Sequence, residues 1–271
     1  MAKGKSDVQE ITIEGIKTES TPAYLVGMTP LIYNAMSEKA RQVLLVGGTK
    51  KNAAEKAASL KHDPLEEYRN SVYRTRAEEA TRLNFPTGAI KKAIASAALD
   101  LPGANKSQIG RLVWIQGDRV PVYGVPQIFC SIVRSAGMDK TPDVRTRAIL
   151  PRWCMALDSI TYVRPNLTAK TVLSLLAAAG LLNGIGDWRQ QKGSGSYGQF
   201  RVAAPDDPEI KFLMSSAGRD AQDAALDDPA PYDEETERLL AWFRDEVARR
   251  GRETTAPPRN GARRAAKEVT A

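Results

Sequence analysis

Apolar and polar positions alternate from the start of the chain. In "VQEITIEGI", Val8, Ile11, Ile13 and Ile16 are apolar, and Glu10, Thr12 and Glu14 fall between most of them, so the period of two predicts a first strand. "PAYLVGMTPLIYNAM" fits a strand or a helix, and "SEKARQVLLV" fits a helix. Residues 47–66 are polar and rich in Lys and Ala, which predicts an exposed, mobile insertion, partly helical at best. Order resumes at "NFPTGAIKKAIASAALDLPG". Ile90, Ile94, Ala97 and Ala98 make a helical stripe there, and Pro102-Gly103 stops it.

"GRLVWIQGDRVPVYG" holds two short strands around Gly117-Asp118, a hairpin turn signal. "RWCMALDSITYV" favours a strand. "NLTAKTVLSLLAAAGLL" is the clearest helix, capped by Asn166 or Thr168, with Val172, Leu175, Leu176 and Ala179 on one face. A glycine-rich loop follows, and "YGQFRV" reads as the last strand. The fold class this order implies is α+β: a ferredoxin-like (RRM-like) βαββαβ core with insertions and a glycine-rich loop before the last core strand. The open face of such a sheet suits a single strand of nucleic acid.

After Val202 the pattern changes. Residues 206–246 carry 13 acidic and 4 basic side chains, and residues 247–271 carry 2 acidic and 7 basic. Since the whole chain has a net charge of +7, residues 1–205 carry +11. The expected organisation is a nucleic-acid-binding domain over 1–205, an acidic segment over 206–250 outside it, and a disordered basic tail over 251–271. The acidic segment includes a short amphipathic helix, "EETERLLAWFRDEVARR". A basic body of this size points to a polyanion, nucleic acid first. No apolar run approaches the roughly 20 residues needed to span a bilayer, and the start has no apolar signal region, so no membrane contact and a cytoplasmic location are expected. Cys130 and Cys154 read as two buried thiols in a reducing compartment.

Classical catalytic parts are scarce. The single histidine, His62, sits beside Asp63-Pro64 and reads as a solvated loop residue, and the cysteines lack metal spacing. No metal and no cofactor are expected. "NGIGDWRQQKGSGSYGQFRV" lacks the Lys-Ser/Thr ending of a P-loop and follows a helix rather than a strand. It can still cradle phosphates. Gly184, Gly186, Gly193, Gly195 and Gly198 free backbone N–H groups to turn toward an anion, Arg189 and Lys192 add charge, and Trp188 and Tyr197 offer faces for bases. The competing reading is that Trp188 caps the core and the glycines make a tight connection. Lys91 and Lys92, near the turn at Pro86 and Gly88, form a second candidate phosphate contact. Arg111, Arg119, Arg134, Arg145, Arg147 and Arg152 add positive charge along the middle of the chain.

Together the two stretches resemble the RAMP superfamily, whose members build CRISPR effector backbones. "FPTGAIKKAI" is similar to that family's Pro-x-[Ser/Gly]-x-[Ile/Leu]-Lys-x-Ala pattern at its first core helix, and "NGIGDWRQQKGSGSYGQFRV" resembles the loop before its last core strand. The resemblance covers residues 85–98 and 150–202. It implies single-stranded RNA held at Lys91, Lys92 and the 184–198 loop, with assembly of copies as a homo-oligomer or filament along the strand. No residue matches the family's nuclease positions. A stand-alone phage-type protein for single-stranded DNA or recombination fits the same core. A metal-independent ribonuclease using Asp118, Asp158 or Asp187 is an alternative. So is an interaction protein whose acidic 206–246 segment docks a basic partner or folds over the basic groove to block it.

Overall fold

Strand β1 (Lys17–Gly27) buries Ala23 and Leu25 on one face and Val26 on the other. This computed structural model describes residues 15–47, 62–75, 78–134, 142–191 and 195–250. Most of the expected strand over 8–16 lies outside the described residues, and Gly15 and Ile16 precede β1 as irregular chain. The stretch that fitted strand or helix therefore becomes strand. Its pairing with strand β9 (Cys154–Arg164) shifts register between Thr21 and Ala23, where Pro22 has no N–H to give the ladder.

In chain order, the elements after β1 are β2 (Leu31–Ile32), α1 (Glu38–Val46), α2 (Pro64–Asn70), β3 (Tyr73–Arg74), β4 (Leu83–Pro86) and α3 (Thr87–Ala97). Next come α4 (Lys106–Leu112), β5 (Val113–Ile115), β6 (Arg119–Tyr123), β7 (Gln127–Arg134) and β8 (Pro142–Leu150). The chain continues with β9 (Cys154–Arg164), α5 (Ala169–Ala178), β10 (Phe200–Ala203), α6 (Pro208–Ser216), α7 (Arg219–Asp227) and α8 (Glu234–Arg249). The architecture is α+β. One curled antiparallel sheet runs β10-β1-β9-β6-β4-β3, with β5 also on β9, and a second sheet runs β2-β8-β7.

The core helices obey their patterns. Helix α3 buries Ile90, Ala93, Ile94 and Ala97. Helix α5 is capped by the Thr168 side chain, which accepts from Thr171 N, and it buries Val172, Leu175 and Leu176. Both stripes join the cluster that includes Leu25, Val113, Met155, Leu157 and Ile160 on one face of the large sheet.

The expected hairpin at Gly117-Asp118 does not form. β5 and β6 pair with the same strand, β9, through Ile115–Ile160 and Val122–Met155. Seven positions separate Ile115 from Val122 where five separate Met155 from Ile160, so the turn is a bulge inside one interrupted strand. Gly117 supplies its positive φ of 78°. A Gly-Asp pair serves a bulge as well as it serves a hairpin.

The acidic segment does not lie outside the fold. Helix α6, capped by Asp207, buries Ile210 and Leu213 against Val26, Tyr123 and Cys154 on the sheet face opposite α3 and α5. Helix α7 buries Leu226 and the whole Gln222 side chain. Helix α8 turns Thr236 and Val247 inward and leaves Trp242 63% exposed. The segment also neutralises the body locally, through Arg82–Asp223 at 2.6 Å, Arg201–Asp207 at 2.7 Å and Arg152–Glu209 at 3.2 Å. The Arg82 hydrogen bond holds the Asp223 carboxyl below its usual range. A separate acidic arm over 206–250 is thus replaced by a structural layer. The acidic helices carry too few apolar residues to stand out in a window, yet each turns one or two of them into the core, Ile210 and Leu213, Leu226, and Val247. The basic tail over 251–271 and most of the 47–66 insertion lie outside the described residues.

Candidate nucleic-acid interface

Helix α5 runs into a wide turn at Ala179–Asn183, and the buried Asn183 amide donates to Ala93 O at 2.9 Å. The glycine-rich loop starts there and closes on itself. Ile185 N donates to Gly198 O at 2.9 Å, Gly198 N to Pro30 O at 2.8 Å, and Asp187 N to Ile32 O at 3.0 Å. A Cβ at Gly198 would sit 1.7 Å from Ile185 O, and one at Gly195 would sit 1.8 Å from Trp188 O. Gly186 meets Leu31 and Ile32, and Gly184 meets Tyr197 O, in the same way. These four glycines bring the protein's own backbone together, as the tight-connection reading expected. Lys192 and Gly193 lie outside the described residues.

The loop's other members are also engaged within the protein. Trp188, at φ 49°, packs edge-on to Phe129 at 6.3 Å and tilted against Tyr197 at 6.2 Å. The Arg147 guanidinium lies 5.7 Å from the Trp188 ring centre and pairs with Asp187 at 2.9 Å. Burial pulls Arg147 below the ordinary arginine range, and the Asp187 carboxylate opposes that. Arg189 donates to Gly186 O at 2.9 Å. Trp188, Arg189 and Tyr197 stay half-buried at the surface of this cluster. Asp187→Ala is expected to strand the Arg147 charge and to destabilise the fold by about 1–2 kcal/mol, below the fully buried case because Asp187 itself touches water. A urea melt reads this out, and an unchanged midpoint would contradict it.

Lys91 and Lys92 sit elsewhere. Helix α3 has no side-chain cap at Pro86. The β5–β6 bulge caps it instead: Asp118 O accepts from Thr87 N at 3.1 Å, and Gly117 O accepts from Thr87 Oγ1 at 2.6 Å. Around this junction lies a recess of about 580 Å³, whose lining includes Gly88, Lys91, Trp114, Asp118 and Arg119 and no residue of the 184–198 loop. Lys92 is exposed beside it. The two stretches that the sequence suggested as one clasp are thus two separate places.

Trp114 was missed as a site residue. It lies between Val113 and Ile115, which face the core, so it projects from the opposite sheet face and is 38% exposed. Its partner in register is Thr161, whose hydroxyl bonds Ser20 Oγ at 2.9 Å. Helix α6 covers the other half of that face, over Tyr24, Val26 and Cys154. The alternation in "LVWIQ" was the available signal: one large aromatic out of phase with its apolar neighbours.

The remaining candidates are quickly placed. His62 is not a solvated loop residue: Nδ1 lies 2.6 Å from Glu67 Oε1 and Nε2 3.0 Å from Asp143 Oδ1, tying α2 to β8. Cys130 and Cys154 are both buried and free, as expected, and burial pushes the Cys154 thiol up to about 12. Of the candidate acids, Asp187 is committed to Arg147, while Asp118 and Asp158 are exposed. Among the described residues no group of three or more His, Cys, Asp or Glu side chains is arranged to hold a metal, and no helix is long and apolar enough to cross a membrane. No protein-family model matches the chain, and no curated protein matches it.

Proposed function

We propose that this chain binds single-stranded nucleic acid along a ferredoxin-like core, with RNA the favoured polymer. The observation that carries this reading is the recess in which an outward-facing aromatic ring, Trp114, shares its walls with Lys91 and Arg119. An exposed ring beside two cations is the combination that stacks a base and neutralises its phosphate.

The fold supports the reading. Counting β1, the interrupted β5–β6 strand, β9 and β10 as four core strands, with α3 and α5 as crossovers, gives the chain order βαββαβ. The spatial order is fourth-first-third-second, antiparallel throughout. The two motifs that resemble the RAMP superfamily open the first crossover helix and precede the last core strand, as that resemblance requires. The half-sheet left open carries Ser20, Trp114 and Thr161, a flat polar floor around one aromatic ring.

Anisotropy with a labelled 30-mer tests the reading. Binding at low salt should be micromolar or tighter, and log affinity should fall linearly with log salt. Trp114→Ala combined with Lys91→Ala should weaken binding at least tenfold, in line with roughly 1–3 kcal/mol per stacked base. Absence of binding at low salt would sink it. RNA and DNA versions of the same 30-mer decide the polymer through the 2′-hydroxyl. Sedimentation with a long strand decides whether copies assemble along it.

A further inference from the structure

A second recess, roomier than the one at Lys91, lies away from the glycine loop. It is a cavity of about 1080 Å³ between the exposed edge of the large sheet, α1 and α7. Arg41, Arg69, Arg74, Arg82 and Arg119 line it, against Glu79, Asp223 and Asp227. A recess with this excess of guanidinium groups is unfavourable when empty, because like charges repel and each loses water.

Two of the five arginines have structural duties. Arg82 grips Asp223 through two nitrogens, at 2.6 and 3.0 Å. Arg69 donates to Leu226 O at 2.9 Å and Asp227 O at 3.0 Å, fastening α7. The other three differ. Among the described residues no carboxylate makes an ion pair with Arg41, Arg74 or Arg119. Among the described residues the Arg74 guanidinium donates to Arg69 O. Its outer edge is open to solvent, yet partial withdrawal from water pulls it below the ordinary arginine range, and neighbouring Arg69 and Arg82 add to that. The Arg119 guanidinium lies over the Tyr73 ring, 4.4 Å from its centre, and Arg119 is exposed. Asn84 also lines the cavity and is 6% exposed, its Oδ1 sealed from solvent behind the wall.

We propose that this cavity is a nucleoside-monophosphate site, distinct from the Trp114 recess. The phosphate pairs with Arg74 and Arg41, and the base stacks on the outer side of the Arg119–Tyr73 pair. Arginine suits both tasks, since its planar fork matches phosphate oxygens and its face stacks on rings. The same chemistry arrives in two forms, a free nucleotide or the phosphorylated end of a strand. The second form joins the two recesses, because Arg119 is a wall of both. In that form the inference rests on the strand-binding reading; in the free-nucleotide form it stands alone.

The test uses the full chain and four probes: 10-mers of one sequence ending in a 5′-phosphate, a 3′-phosphate or hydroxyls only, and AMP by calorimetry. Wild type should prefer one phosphorylated 10-mer at least tenfold, or bind AMP, or both. Arg74→Ala with Arg41→Ala, two solvent-edge changes whose folding is checked by thermal melting, should abolish these effects. Lys91→Ala should weaken all three 10-mers alike and keep their ratio. End preference without AMP binding assigns the strand end, and AMP binding with equal 10-mers assigns the free nucleotide. Equal 10-mers without AMP binding overturn the proposal, as does a preference that survives the double change. AMP binding with no strand binding at low salt keeps this site and removes the strand reading; strand binding with neither effect does the reverse.

Discussion

Gln222→Leu is expected to lower the thermal midpoint by roughly 10 °C, the largest effect of any single polar change in this chain. Gln222 is fully buried, and its side chain is the knot between α7 and the sheet. Its carbonyl oxygen accepts from Arg82 N at 2.8 Å and Leu83 N at 2.9 Å. Its amide nitrogen donates to Val122 O at 2.7 Å, with Gly124 O and Ala217 O both at 3.1 Å. Leucine fills much of the volume and satisfies none of these groups. Stranding several buried backbone groups costs about 3–4 kcal/mol. Differential scanning fluorimetry and urea melts measure it, and a shift under about 1 kcal/mol would contradict the account. The consequence reaches further. Truncation at residue 205, the obvious way to probe an acidic arm, removes this knot together with Ile210, Leu213, Leu226 and Val247 from the core. It is expected to unfold the protein rather than free a groove.

Gly198→Ala is the second large effect. The residue has φ 71°, where alanine costs roughly 1–2 kcal/mol before any contact is counted. The added methyl would also overlap Ile185 O at 1.7 Å, so the loop must open. The bonds from Ile185 N to Gly198 O and from Gly198 N to Pro30 O then break. A total loss of about 3 kcal/mol is expected without any ligand present, read as a drop in urea midpoint. A loop whose glycines served only to admit a phosphate would show the opposite: unchanged stability and lost binding. The measurement therefore separates the two readings of the glycines directly.

The legible and illegible parts of this protein divide by range. Helices α3 and α5 follow from periodicity, because burial of one face imposes it wherever the element lies, and strand β9 follows from its strand-favouring residue types. The Thr168 cap is equally local. Gly117-Asp118 was legible as a turn but not as a bulge, since the same dihedral serves both and only the partner strand decides. The glycine loop was visible as a cluster, yet whether its glycines admit a ligand or each other depends on Ile185, Pro30 and Trp188 arriving beside them. His62 looked solvated because Asp143 is far away in sequence. The acidic helices looked peripheral because a window average hides the few side chains, Ile210, Leu213, Leu226 and Val247, that each sends into the core.

By itself the sequence determined the α+β class, the main core helices with their buried faces and the basic balance of residues 1–205, and it singled out the stretches at 85–94 and 183–202. Only the tertiary structure decided that those stretches lie apart, that Trp114 stands out on an open half-sheet, and that Arg41, Arg74 and Arg119 converge on one cavity. The reason is physical. Hydrophobic periodicity is written over a few turns of chain, whereas a charged recess is a sum of Coulomb and desolvation terms among residues from five different parts of it, and these have no magnitude until the fold fixes their distances.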